Sequence, residues 1–197
     1  MIFKEHIKGI ERDSVVITCG LPATCKSGLA AVLSRSTGHV IVATDMLRLE
    51  IMKGHDIFSE SVASDMRKRS SVYDEMFYLT DRLCHMGYGV VMDATFIKQE
   101  LRVKGAEIAN NHKRSLYIFE TDCSEYKALL RISRRRRDRY DSNAITDRAY
   151  FNNKSGFEGI DINHLKELFP LLSIIHLRID TESDDSSEWK IIRFQKY

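Results

Sequence analysis

The chain has 197 residues, 30 Lys and Arg against 28 Asp and Glu, a formal charge of +2 and 43% hydrophobic residues. That length suits one domain over 1–197, able to bury roughly 70% of its unfolded surface, and the near-balanced charge gives nucleic-acid binding no support from the total. No stretch approaches the ~20 apolar residues of a membrane span and Met1 to Asp13 lacks a signal core, while Cys19, Cys25, Cys84, Cys123 and the scattered histidines lack metal-ligand spacing; a cytoplasmic protein without zinc or disulfides is expected.

The first element is the apolar run Val15 to Cys19, a buried strand, followed by Gly20-Leu21-Pro22-Ala23-Thr24-Cys25-Lys26-Ser27 and a helical spacing from Ser27 to Leu33. Strand, loop and helix in this order match the phosphate-binding motif G-x-x-x-x-G-K-[ST] with Cys25 in place of the second glycine. Loop N–H groups and the helix N-terminus attract phosphate, Lys26 reaches the β/γ oxygens and the Ser27 hydroxyl binds Mg²⁺. A plain turn is the alternative, but a lysine in the first helical turn opposes the helix dipole unless an anion sits there. A Cβ at position 25 obstructs angles that glycine permits, and a thiol beside Lys26 at a helix N-terminus tends towards thiolate.

Further strands are expected at Val40 to Ala43, Gly89 to Asp93, Leu116 to Phe119 and Ser173 to Leu177. Helices are expected at Ser64 to Met86, at Ser124 to Asp138 and around Trp189 to Phe194. Tyr73, on the long second helix, faces either substrate or solvent. Strands alternating with helices imply a parallel sheet covered on both faces with its site at the carboxyl ends, where Gly20, Asp45 and Asp93 all fall.

With these segments in order, the chain resembles the AAA-like ATP-dependent P-loop kinases, related to polynucleotide 5′-kinases, zeta toxins and gluconate kinases. The matching stretches are Gly20 to Ser27, Asp45-Met46-Leu47-Arg48, Val90 to Phe96 and Arg131-Ile132-Ser133-Arg134-Arg135. The resemblance implies an α/β P-loop NTPase fold, a three-layer α/β/α sandwich with a five-stranded parallel sheet and an arginine-rich helical lid over about 124–155. It implies ATP and Mg²⁺ as cofactors, with Gly20 to Gly28 (Gly20, Leu21, Pro22, Ala23, Thr24, Cys25, Lys26, Ser27 and Gly28) around the nucleotide and Ser27 with Asp93 at the metal. Asp45 would take the acceptor's proton, Arg48 and Arg102 would hold substrate, and Lys26, Arg131 and Arg135, the last two on one helix face, would neutralise the transferring phosphoryl group. Asp45 can alternatively cap a helix, and Arg102 can be an ordinary solvated arginine. Asn143 replaces an acidic residue of relatives, and Gly28 a second hydroxyl. The implied activity is transfer of the γ-phosphate to a hydroxyl of a small molecule or a nucleic-acid 5′ end; the competing reading is a non-catalytic nucleotide- or RNA-binding protein.

Overall fold

The computed structural model describes residues 2–51, 66–135 and 144–197. In chain order these form α1 (Phe3–His6), a 3-10 turn (Ile7–Gly9), β1 (Val15–Cys19), α2 (Lys26–Thr37), β2 (Val40–Ala43), α3 (Thr44–Ile51) and α4 (Met66–His85). There follow β3 (Val90–Asp93), α5 (Gln99–Asn111), β4 (Leu116–Asp122), α6 (Glu125–Ser133), α7 (Asp147–Gly156), α8 (Ile162–Leu168), β5 (Ile174–Asp180) and β6 (Lys190–Lys196). Ser142 and Asn143, together with Arg136 and Arg137, lie outside the described residues.

The strands form one sheet in the order β2-β3-β1-β4-β5-β6. The first five are parallel and β6 pairs antiparallel with β5. The segment expected as a final helix is therefore an edge strand. A seven-residue stretch of apolar and basic side chains fits either period, and pairing with β5 decides it.

The parallel strands β1, β3, β4 and β5 alternate side chains between two cores, which accounts for their largely apolar content, whereas the edge strand β2 buries only Val42. Val15, Ile17, Met92, Leu116, Ile118 and Ile174 face one core with residues of α4, α5 and α8. Val16, Val91, Phe119, Ile175 and Leu177 face the other with Phe3, Leu29 and Leu33. Tyr73 belongs to the first core: it is buried, and its hydroxyl accepts from the Phe96 N–H at 3.2 Å, so it is not a solvated side chain. Because β1 lies between β3 and β4, the chain reverses direction across the sheet at its carboxyl end, the position where α/β sheets bind ligands.

Candidate functional site

β1 is followed by Gly20, whose φ of +144° and close fit both demand glycine: a Cβ there would lie 2.6 Å from the Thr121 carbonyl oxygen. The Gly20 N–H donates to Thr95 O at 3.3 Å, fastening the loop's start to the end of β3. From there the loop wraps towards α2, which begins at Lys26. Ala23 (φ 65°) and Cys25 (φ 62°) both adopt the left-handed conformation. Cys25 thus holds the backbone shape that the motif's second glycine normally supplies, at the cost of strain.

The thiol does not follow the expectation of a thiolate. Burial pushes the Cys25 thiol up, with Asp184 adding to it, and outweighs the opposing pull of Arg131 and Lys26. Cys19, enclosed within β1, is pushed up to about 11 by burial.

Lys26 donates from Nζ to Leu21 O at 2.7 Å, within the loop. Burial lowers its pKa, Asp93 and Asp45 oppose that shift, and Arg135 adds to it. Asp93, at the end of β3, is buried and accepts from Thr18 Oγ1 at 3.2 Å. Burial raises its pKa; Ser27, Lys26 and Thr18 favour the carboxylate, and Asp45 disfavours it. Lys26, Ser27, Asp45, Asp93 and Arg135 therefore share one electrostatic neighbourhood, and both buried charges sit in unfavourable surroundings. A carboxylate beside a hydroxyl fits Mg²⁺, which binds through few protein oxygens and keeps waters and phosphate ligands for the rest. Among the described residues no cluster of three or more His, Cys, Asp or Glu side chains forms a metal cage.

Asp45 follows β2 in the first turn of α3, which starts at Thr44, so it stands inside the helix rather than before it. Its carboxylate, about one-third exposed, pairs with Arg48 Nη1 at 3.1 Å. Thr44 Oγ1 donates to Asp93 O at 3.4 Å, tying the start of α3 to the end of β3.

The surroundings of three expected arginines differ from what the sequence suggests. Arg102 is fully buried, and its guanidinium donates to the carbonyls of Phe96 (3.0 Å), Gly159 (2.8 Å) and Glu158 (2.7 Å) and to Gln99 Oε1 (3.0 Å). It binds loops together and is not a solvated side chain. Helix α6 ends at Ser133, earlier than expected, and Arg134 is its C-cap, so Arg135 lies beyond the helix and shares no helical face with Arg131. Arg135 Nη1 donates to Ala144 O at 2.6 Å. Arg131 donates to Asp184 Oδ1 (2.8 Å), Thr181 O (2.7 Å), Ser183 O (3.1 Å) and the loop's Ala23 O (3.2 Å). Its fork is thus occupied by protein groups of three segments.

Gly28 is explained by packing. A Cβ there would lie 3.3 Å from the Trp189 ring, which is buried and anchored through Nε1 to Ser183 O at 2.9 Å. Trp189, Thr181, Thr121 and Thr18 escaped the sequence reading because threonines and a lone tryptophan far from the loop carry no motif.

The model of one protein family, described as an AAA domain, matches residues 15–160. The chain belongs to this family. Among solved structures it is similar to a putative kinase from Chloroflexus aurantiacus, at 16% identity over 88% of this chain and 87% of that one, with a TM-score of 0.63. A gluconokinase from Sinorhizobium meliloti is 15% identical over 91% and 88% of the two chains, with a TM-score of 0.60. Kti12 from Chaetomium thermophilum, solved in complex with ADP-AlF3, is 16% identical over 83% and 88%, with a TM-score of 0.56. These likenesses show that this AAA domain has the P-loop kinase-like α/β fold. No curated protein matches its sequence.

Proposed function

We propose that this AAA domain is an ATP- and Mg²⁺-dependent phosphotransferase that moves the γ-phosphate of ATP to a hydroxyl of a small molecule or a nucleic-acid 5′ end. The observation that carries the reading is the grouping of Lys26, Asp93 and Asp45 around one loop, with Lys26 and Asp93 each held in a charge-disfavouring place. A phosphate beside Lys26 and a cation beside Asp93 would relieve both, and such perturbed pairs cluster at functional sites.

In this reading the loop amides and Lys26 hold the β/γ-phosphates, while Ser27 and Asp93 hold Mg²⁺, which neutralises charge on the phosphate oxygens when bound. Lys26 exchanges its bond to Leu21 O for phosphate oxygens. The acceptor oxygen attacks the γ-phosphorus, the bond to the β-phosphate oxygen breaks to release ADP, and Asp45 receives the acceptor's proton. Arg48, paired with Asp45 at 3.1 Å, orients that carboxylate. Arg135, whose charge reaches Lys26, supplies positive charge to the transferring group. The left-handed backbone at Cys25 supports this reading over a disabled loop that only binds nucleotide or RNA.

Asp45→Asn tests the assignment. It should lower the rate of Mg²⁺-dependent transfer to an accepted hydroxyl at least about 100-fold while ADP affinity, measured by calorimetry, changes less than about threefold. Full turnover by Asp45→Asn would remove the base role.

A further inference from the structure

The phosphate-binding loop contains a contradiction that its own residues do not resolve. Two side-chain-bearing residues, Ala23 and Cys25, hold left-handed angles that L-residues avoid. Between them lie two peptide units, Ala23–Thr24 and Thr24–Cys25. Rotating the second of these would relieve Cys25, and because a trans peptide's N–H points opposite its C=O, that rotation would turn the Cys25 N–H away from its present direction.

Both peptide oxygens are held from outside the loop. Ala23 O accepts from Arg131 Nη1 at 3.2 Å, and Thr24 O lies 3.0 Å from Thr181 Oγ1, whose single proton it shares with Asp122 O at 2.9 Å. Thr181 is fully buried and donates its backbone N–H to Asp122 O at 2.8 Å, so its hydroxyl is set by the end of β4. Arg131 is fixed in turn by Asp184 and by the carbonyls of Thr181 and Ser183. Thr24 Oγ1 adds an anchor from the loop side, bonding Leu21 O at 2.8 Å and Thr121 Oγ1 at 2.7 Å.

We propose that Arg131 and Thr181 are positioning residues that lock the two peptide planes of the phosphate loop in the orientation needed to receive phosphate, replacing by tertiary bonds the conformational freedom lost with the glycine at position 25. A loop with glycine there tolerates either orientation; with Cys25 the clamp decides. The consequence for nucleotide binding rests on the phosphotransferase reading, whereas the consequence for the loop itself does not.

Two measurements test the clamp. In the ligand-free chain, alkylation of each cysteine by a maleimide is followed by mass spectrometry in the native protein, Arg131→Lys and Thr181→Val. Lysine keeps the positive charge that otherwise alters the thiol's reactivity, and valine keeps the shape of threonine without its donor. Each variant should speed labelling of Cys25 about tenfold while Cys19 and Cys84, both buried, keep their rates. An unchanged Cys25 rate, or equal acceleration at all three cysteines, overturns the clamp.

The second measurement is ADP affinity by calorimetry in a double-mutant cycle. Arg131→Lys should weaken ADP about tenfold in the native chain and less than about threefold when combined with Cys25→Gly. Equal losses in both backgrounds would mean that Arg131 meets the phosphates itself, and the clamp would be wrong. If the native chain binds no ADP, the phosphotransferase reading fails while the alkylation rates still judge the clamp.

Discussion

At the scale of single residues, the site holds charges and angles that folding alone would avoid. Asp93 shows this most directly. Its folded pKa is raised by burial above the ordinary 3.8, so the folded state binds that proton more tightly than the unfolded chain does. The sign follows: its contribution is most favourable below pH 3.8 and is lost as pH rises through the folded value. Asp93→Asn should therefore make the ligand-free chain more stable by about 1 kcal/mol at pH 8, with the gain shrinking towards pH 4, as read by urea unfolding at both values. The same variant should lose the Mg²⁺ dependence of ATP binding. A native chain more stable than Asp93→Asn at pH 8 would contradict the assignment. Cys25 carries its burden in the backbone, so removing the sulfur alone gives no relief. Cys25→Gly should exceed Cys25→Ala by about 1 kcal/mol in thermal unfolding, because alanine keeps the Cβ that left-handed angles disfavour. The place of Lys26 and Ser27 at the start of α2, after the loop, was legible because the motif is written in consecutive residues. The clamp on Cys25 was not, since Arg131 and Thr181 approach from α6 and from the far end of β5, and only folding brings them to the loop.

At the scale of elements, position along the sheet was legible and side-chain duty was not. Each of the five parallel strands appears as a largely apolar run, because the inner strands are buried on both faces and admit few polar residues, such as Thr18 and His176. The ends of β1, β2 and β3 accordingly place Gly20, Asp45 and Asp93 as expected. Helix ends were harder. Ser124 caps α6 through a bond from the Lys127 N–H, as its residue type suggests, whereas the run of arginines after Ser133 has the composition of a helix without continuing as one. Arg102 shows the same limit at higher cost: a guanidinium on a helix reads as solvated until the loops at Phe96 and Glu158 fold over it. Its burial makes a prediction. Arg102→Met should destabilise the chain by about 3 kcal/mol or more, because several carbonyls lose their donor at once. Nucleotide affinity per folded molecule should stay within about twofold, since the guanidinium is bonded to protein oxygens at Phe96, Gln99, Glu158 and Gly159. Loss of less than about 1 kcal/mol in chemical unfolding would mean those carbonyls find other partners.

At the scale of the whole molecule, the three layers serve to bring distant segments to one edge. The parallel part of the sheet was expected with five strands, and β6 adds a sixth, antiparallel to β5, that the periodicity of Trp189 to Phe194 could not distinguish from a helix. That strand has a use beyond covering an edge. The turn before it places Trp189 against Gly28 and, through Ser183, joins Arg131 and the phosphate loop in one scaffold. Among the described residues no helix is long and apolar enough to cross a membrane. The central claim is that this scaffold presents a working phosphate site despite the missing glycine. Calorimetric titration of the native chain and of Lys26→Ala with ATP, each with and without Mg²⁺, tests it most directly. The account predicts Mg²⁺-dependent binding to the native chain that Lys26→Ala weakens at least about 100-fold. Absence of binding to the native chain, or binding indifferent to Lys26, would contradict it.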